Sequence, residues 1–174
     1  MRPDPVVLGV AIAVPEPHAT VLTRWRRRAG DRQADLIWPH VTLLPPTAID
    51  VADLPEIDKH LAEAAGESEP FVMHLHGTGT FRPVSPVVFI QVARGVANCE
   101  LLEKAIRRGP LERDLEFTYH PHVTVAQDVP LGALDEVYDG LSEFVARFIV
   151  ERFQCFALGP DGRWRTWREF SLGG

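Results

Sequence analysis

The amino-acid sequence predicts an α+β fold built from a duplicated unit. Strand-like and helix-like patterns alternate along the chain, and a Pro-His-Val-Thr motif followed by an apolar residue occurs once in each half. The two copies are residues 39–43 and residues 121–125. Each copy belongs to a strand-like run that follows a helix-like one, so the two halves share a local order. We therefore expect an internal duplication.

The first half predicts strand, helix, strand and helix in turn. Residues 6–14 are apolar enough for a buried strand, and residues 34–44 predict the strand that carries the first motif and stops at Pro45. Between them, one face of a helix is formed by Leu22, Trp25 and Ala29. Asp53 and Glu56 have the spacing of a capping box, which predicts that a second helix begins there.

The middle of the chain predicts two antiparallel neighbours. Residues 71–78 and 86–93 are rich in strand-forming residues, and the connection between them contains Gly and Pro. Asn98 has the residue type of a helix N-cap and predicts a short helix. The inward face of that helix is predicted to hold Leu101, Leu102, Ala105 and Ile106. The second motif then follows as the next strand.

After the second motif, the sequence predicts a helix and a closing hairpin. The helix is indicated by an apolar stripe made of Leu134, Val137, Leu141, Phe144, Val145 and Phe148. Residues 153–158 and 164–172 flank a Gly-Pro-Asp-Gly turn and predict the hairpin. In the resulting order, β-α-β-α-β-β-α-β-α-β-β, each motif strand lies between two helices.

The repeated motif carries residue types suited to acid/base chemistry at a phosphodiester. Side chains alternate between the faces of a strand, so His40 and Thr42 share one face, as do His122 and Thr124. Histidine titrates near neutrality, and hydroxyl groups can donate to phosphate oxygens. Two such strands side by side would present two histidines and two threonine hydroxyls to one ligand.

Composition excludes some classes of protein. A chain of 174 residues with 45% hydrophobic residues can fold as one domain. Its 18 basic and 24 acidic residues give a net charge of −6, which argues against a protein that mainly coats nucleic acid. Cys99 and Cys155 have no metal-ligand spacing, and no apolar run reaches the length of a membrane span. We expect two buried thiols and a cytoplasmic monomer.

Two His-x-Thr-apolar strands in a chain of this size and order resemble the two-histidine (2H) phosphoesterase superfamily, in particular its bacterial RNA 2'-5' ligase and 2',3'-cyclic phosphodiesterase branch. Residues 119–126 and 79–81 add local similarity. The resemblance implies one domain over residues 1–174, made of two closely packed lobes related by pseudo-twofold symmetry. It also implies antiparallel sheets around a central cleft, with neither a metal nor another cofactor.

The resemblance further implies a reaction. It is metal-independent opening of 2',3'-cyclic phosphates, or cleavage and formation of 2'-5' phosphodiesters, in RNA ends or small cyclic nucleotides. By motif position, His40 and His122 would be the catalytic pair, and Thr42 and Thr124 would bind the phosphate. The alternative is a noncatalytic RNA- or nucleotide-binding module that retains the phosphate pocket.

Other residues are secondary candidates for the substrate cleft. Trp38, Phe81 and Arg82 are expected there, with either aromatic ring available to stack on a base. His120 lies two residues before His122, a spacing seen in metal sites, but a third ligand is not evident. We interpret His120 as a hydrogen-bonding neighbour of the catalytic pair.

Two segments combine arginine with tryptophan. Residues 24–28 place four arginines around Trp25, and we interpret the arginines as the solvent-facing side of an amphipathic helix. Residues 163–168 alternate basic and aromatic residues, a pattern of proteins that bind single-stranded RNA. The same pattern fits a hairpin strand whose tryptophans cover the edge of a core, and the sequence leaves both interpretations open.

Overall fold

The structure, a computed structural model, describes residues 1–173 and confirms the α+β class. Its strands are β1 (Val6–Ala13), β2 (His40–Ile49), β3 (Phe71–Thr80), β4 (Val87–Arg94), β5 (His122–Gln127), β6 (Val145–Val150), β7 (Arg152–Leu158) and β8 (Trp164–Ser171). Its helices are α1 (His18–Arg28), α2 (Leu54–Gly66), α3 (Val96–Ile106) and α4 (Leu131–Gly140). Within residues 1–173, none of these helices is long and apolar enough to cross a membrane.

The strands form one antiparallel sheet in the order β6-β3-β4-β5-β2-β1-β7-β8. The two motif strands, β2 and β5, occupy its centre. Each is flanked by the strand that precedes it in its own half of the chain, β1 or β4, and then by two more strands. This arrangement has the pseudo-twofold symmetry expected from the duplication.

The two halves of the sheet are not two consecutive segments of sequence. Strand β3 lies beside β4, whereas β7 and β8 return from the end of the chain to extend the half that contains β1 and β2. The helices also cross over, because α1 packs against β5 and α3 packs against β2. Each motif strand is therefore supported by a helix from the other half of the chain.

The motif strands have one core face and one polar face, as the alternation predicts. Val41 and Val123 are fully buried, and so are Leu43 and Val125 at the next positions on that face. Buried residues from all four helices join the same apolar core, among them Leu22, Leu61, Leu102 and Leu134. The histidines and threonines of both motifs are half-buried on the opposite face.

The strand that carries the first motif differs from the predicted one. It begins at His40 and not at residue 34, because residues 32–35 form a 3-10 turn capped by the Asp31 side chain. It also continues through Pro45 and the following proline to Ile49. The register with β1 shifts across these two prolines, and such a bulge tolerates residues that cannot donate to the sheet.

The predicted helical stripe after the second motif is wrong beyond residue 141. Helix α4 ends at Gly140, and the last residues of the stripe belong to β6, which pairs with β3 along its whole length. Within β6, Val145 and Ile149 are exposed while Ala146 and Val150 are buried. Pairing with β3 provides partners for the backbone, and this tertiary interaction outweighs the local helical spacing.

Helix α2 begins directly after Asp53, as predicted, but neither predicted capping side chain caps its helix. The Asp53 side chain makes no capping hydrogen bond, and Asp50 instead accepts from the Ala52 amide in the turn before α2. Asn98 lies inside α3, whose start follows Gly95 in a left-handed conformation with φ 106°. Leu101 is 67% exposed, although it was predicted to face inward.

Both cysteines are buried free thiols, as predicted. Burial raises the pKa of Cys99 and of Cys155 to about 12, so both remain protonated at neutral pH. They pack as small apolar groups in the core.

Helix α4 provides a matched pair of glycines for a test of packing. A side-chain carbon at Gly140 would collide with the Trp25 ring of α1, whereas one at Gly132 would meet open space. We expect Gly140→Ala to destabilise the fold by about 1–3 kcal/mol through overpacking. Gly132→Ala should instead stabilise it by about 0.4–1 kcal/mol through helix propensity. Denaturant unfolding measures the change in the free energy of unfolding of each variant. Equal changes in the two variants would contradict the packing account.

Candidate active site

The site is organised by one antiparallel residue pair, Val41 with Val123, which joins β2 to β5. In this register His40 lies toward Thr124 and Thr42 lies toward His122, all on the face opposite the two valines. Directly opposite residues in such a pair have Cβ atoms about 5 Å apart. The register therefore groups two imidazoles and two hydroxyls, with each strand supplying one of each.

Both histidines are held by the backbone in the same way. His40 Nδ1 lies 2.7 Å from the Trp38 carbonyl oxygen, and His122 Nδ1 lies 2.6 Å from the His120 carbonyl oxygen. A carbonyl oxygen only accepts, so Nδ1 of each ring must carry the hydrogen that it donates. This fixes the tautomer and leaves Nε2 of each neutral ring with a free lone pair.

Burial keeps both rings neutral in the absence of a ligand. It lowers the pKa of His40 to about 4, against the hydrogen bond to Trp38, and the nearby charges of Arg26 and His122 lower it further. Burial also lowers the pKa of His122, and His120 contributes in the same direction. The lowered pKa values therefore favour the neutral form of both rings in the free site.

An aromatic wall supports His122. The centroid of its ring lies 5.0 Å from that of Phe81 and 5.1 Å from that of Phe89. Gly79 makes this possible, because a Cβ there would lie 2.6 Å from the Phe89 ring. Phe81 thus lies at the site, where the sequence analysis expected it, but beside a histidine and tilted against Phe89 with their centroids 4.5 Å apart.

The side of His40 is open. Its neighbours on β1 across the sheet are the small residues Ala11 and Ala13, which pair with Thr42 and His40. A cleft of about 920 Å³ lies here and is lined by His40, Thr42, Thr124, Arg26, Asp31 and Trp164 among others. The two halves of the site are therefore alike in their His-x-Thr motifs and different in the side chains that surround them.

Two hydrogen bonds from outside the motifs tie β2 and its neighbour β1 to other parts of the chain. The Tyr119 hydroxyl donates to the Thr42 carbonyl oxygen at 2.7 Å, which ties the segment before β5 to β2. Burial raises the pKa of Tyr119, so the phenol keeps the hydrogen that it donates. On the other side, the Ala13 amide donates to Gln154 Oε1 at 3.1 Å. Sequence reasoning missed both residues, because only the folded register reveals their partners.

Arg26 is a further cleft residue that sequence reasoning placed wrongly. It was grouped with the solvent-facing arginines of α1, but it is only 6% exposed and lines the cleft. Arg24, Arg27 and Arg28 are exposed, as predicted. The signal was present in the spacing, since Arg26 follows Leu22 by four residues and so shares its buried face.

The remaining candidates for the substrate cleft lie in different parts of the structure. His120 is exposed, and its backbone carbonyl, not its ring, holds His122. Trp38 is 46% exposed on a neighbouring groove, where its Nε1 donates to the Val14 carbonyl. Arg82 is tied to Thr80 and to Asp135 of α4. Within residues 1–173, no three His, Cys, Asp or Glu side chains group closely enough to hold a metal ion.

Residues 163–168 were interpreted either as an RNA-binding segment or as a hairpin strand that covers the edge of the core, and the structure has features of both. Trp164 reaches the cleft beside His40, and Trp167 packs against the core. Arg163 and Arg165 both pair with Asp161 in the hairpin turn. The segment thus contributes one ring to the cleft, while its two nearest cations are partly neutralised by a carboxylate.

Comparisons of this chain with known proteins agree on one family. A family model described as the 2'-5' RNA ligase superfamily matches residues 14–161. A Halalkalibacterium halodurans protein named as a putative phosphoesterase is 30% identical over 170 residues, which cover 95% of this chain and 96% of that protein.

Solved structures of E. coli LigT share the fold. The complex of LigT with NADP+ has a TM-score of 0.72, and the complex with 3'-AMP has a TM-score of 0.70. In both, the identity is 22%, and the match covers 99% of this chain and 100% of LigT.

The lowered pKa of His40 predicts how stability depends on pH. The unfolded chain binds a proton at His40 below about pH 6.5, whereas the folded chain resists it down to about pH 4. The stabilisation is therefore complete above pH 6.5 and is lost as the pH falls toward 4, by up to about 1.4 kcal/mol per pH unit. We expect His40→Gln to flatten this dependence in denaturant unfolding between pH 7 and pH 5. His76→Gln, at an exposed histidine of β3, is the control. An unchanged slope in His40→Gln would contradict the assignment.

Proposed function

Since this chain belongs to the 2'-5' RNA ligase superfamily, a family of two-histidine phosphoesterases, we propose that it opens 2',3'-cyclic phosphates by acid/base catalysis. His40 and His122 are the acid and the base, and Thr42 and Thr124 hold the phosphate. The single observation that carries this proposal is the register of Val41 with Val123, which groups the four side chains on one face.

The reaction needs one base and one acid on opposite sides of phosphorus. One histidine takes a proton from water through its free Nε2, and the water oxygen forms a bond to phosphorus. The bond from phosphorus to one ribose oxygen breaks, and the other histidine gives that oxygen its Nε2 proton. The product is a monoester with a free ribose hydroxyl. Ends are joined when the hydroxyl of a second RNA end attacks phosphorus in place of water, and the roles of the two histidines exchange when either reaction runs in reverse.

The charge of the substrate provides the acid. Both free histidines favour the neutral form, so neither is a proton donor at neutral pH in the empty site. A phosphodiester anion between them raises the pKa of both, because opposite charge favours the protonated ring. Only one proton then enters the pair, since a second imidazolium would be repelled by the first. Binding therefore produces one acid and leaves one base.

The threonines are suited to the charge that develops on the nonbridging oxygens. Each hydroxyl lies on the same face as the histidine of its own strand and opposite the histidine of the other strand. Donors fixed before the reaction stabilise the transition state without having to reorganise. Four groups on two hydrogen-bonded strands meet this requirement.

The open side of the site suits a nucleoside. Its volume of about 920 Å³ lies in the range of small-ligand sites, and Trp164 offers a ring face beside His40 and Thr42. The similarity to LigT, whose complexes include 3'-AMP and NADP+, supports a nucleotide substrate. We propose that the substrate is an RNA end or a small cyclic nucleotide whose base stacks on Trp164.

The histidines provide the first test. We expect His40→Ala and His122→Ala each to lower kcat on 2',3'-cyclic nucleotides by about 100-fold or more, since each removes a proton-transfer group. His76→Ala, at an exposed histidine outside the site, should leave kcat unchanged. Monoester formation is measured in EDTA, because the mechanism needs no metal. Near-wild-type turnover in either motif variant would refute the mechanism, and saturable binding without turnover in the wild type would favour the noncatalytic module.

The threonines provide the second test. Thr42→Val and Thr124→Val keep the shape of the side chain and remove the hydroxyl, so we expect kcat/KM to fall by about 100-fold. Thr42→Ser and Thr124→Ser keep the hydroxyl and should retain most of the activity. If the valine and serine variants were equally active, phosphate binding by the hydroxyls would be wrong.

A further inference from the structure

Arg26 is a buried cation beside the motifs, and the two-histidine reaction as described does not use it. It lies on the buried face of α1 and is 6% exposed. Its Nε donates to Asp31 Oδ2 at 2.7 Å, in an ion pair whose side chains are 7% and 2% exposed. Such a pair is costly to desolvate, and it is often no more stable than apolar residues of the same volume. Its presence therefore calls for another explanation.

The guanidinium has donors left over. Within residues 1–173, its bond to Asp31 is the one side-chain hydrogen bond found for Arg26, and it uses Nε alone. The two terminal nitrogens carry four more hydrogens. No buried side-chain nitrogen or oxygen in these residues lacks a partner, so these nitrogens are not sealed in the core. Because Arg26 lines the cleft, they open onto it.

Asp31 fixes the position of this guanidinium relative to the second motif. Its Oδ2 accepts from Arg26 and also from the Gln127 amide at 3.0 Å, at the end of β5. Its Oδ1 accepts from the Gln33 amide at 2.8 Å. Strand β5 carries Thr124, so the carboxylate links the arginine to the strand that supplies one phosphate-binding hydroxyl. Arg26 is thus held in place before any ligand arrives.

The buried guanidinium of Arg26 offers an anion in the cleft a fixed positive group. Burial and the field of Arg26 both keep His40 uncharged. Two arginines line the cleft, and Arg26 is the buried one, whereas Arg32 is exposed. Asp31 already accepts three hydrogen bonds, and the other carboxylate at the rim, Asp128, is exposed. A buried guanidinium with free donors is well suited to phosphate oxygens, which it can contact in pairs.

We propose that Arg26 is a third phosphate-binding element of this site and donates from its terminal nitrogens to a nonbridging oxygen of the phosphate that the two motifs hold. This rests on the proposed function in one respect, namely that the phosphate lies between His40 and His122. Arg26 would supply the positive charge that the neutral threonines lack, and it would withdraw electron density from phosphorus as the water attacks.

The test measures binding of inorganic phosphate, which needs no turnover. The imidazole Cε1–H resonances of His40 and His122 report by NMR whether phosphate occupies the motif site. We expect Arg26→Met to weaken this binding by about tenfold or more, and Arg26→Lys, which keeps a charge but loses the planar fork, to weaken it less. The matched control is Arg28→Met, because Arg28 lies on the same helix and pairs with exposed Glu136.

Arg26→Met leaves Asp31 as a buried unpaired charge and can unfold the chain. The double variant Arg26→Met/Asp31→Asn removes both charges, and its thermal midpoint is measured alongside its phosphate affinity. A folded double variant that binds phosphate as tightly as the wild type overturns the inference. In the wild type, the side-chain nitrogen resonances of ¹⁵N-labelled Arg26 must shift on phosphate addition, and unchanged resonances also overturn it.

Failure of this inference can be told apart from failure of the proposed function. Wild-type turnover of cyclic nucleotides together with unaltered phosphate affinity in the folded double variant would refute the role of Arg26 alone. Conversely, Arg26-dependent phosphate binding in a wild-type protein that turns over no cyclic nucleotide would refute the enzymatic proposal and leave this one intact.

Discussion

The pairing of Val41 with Val123 is the interaction on which the site depends. Within residues 1–173 it is the one register pair between the two central strands, and it lies where the two halves of the sheet meet. A shift by one residue would turn the histidines toward the core and the valines toward the cleft. Burial of the two valines opposes that shift, so the apolar core fixes the position of the polar face.

The interleaving of the two halves strengthens this constraint. Helix α1 belongs to the first half of the chain and packs against β5 of the second half. Helix α3 belongs to the second half and packs against β2 of the first half. Separating the halves would expose both motif strands. The fold therefore couples the position of each motif histidine to the packing of the whole chain, although the motifs themselves are only a few residues long.

The two motif histidines have matching backbone contacts but unlike surroundings. The two histidines have the same tautomer and the same backbone partner two residues earlier, yet Phe81 and Phe89 enclose one, and an open cleft borders the other. In the proposed reaction, these unlike surroundings would divide the roles of acid and base between the two histidines. The proposed nucleoside would occupy the open cleft beside His40, and Phe81 and Phe89 would hold His122 from the other side.

The sequence by itself determined the α+β class, the polar and apolar faces of the motif strands, and the four motif residues, because alternation and repetition are local properties. It mislocated the end of α4, since β6 forms only by pairing with the distant β3. It also placed Arg26 in solvent, because the charge of the residue outweighed its position on the buried face of α1. The ion pair with Asp31, the opening toward the cleft and the register that groups the histidines are contacts between segments far apart in the chain. Tertiary packing alone decided them, because the energy of such contacts depends on which surfaces meet.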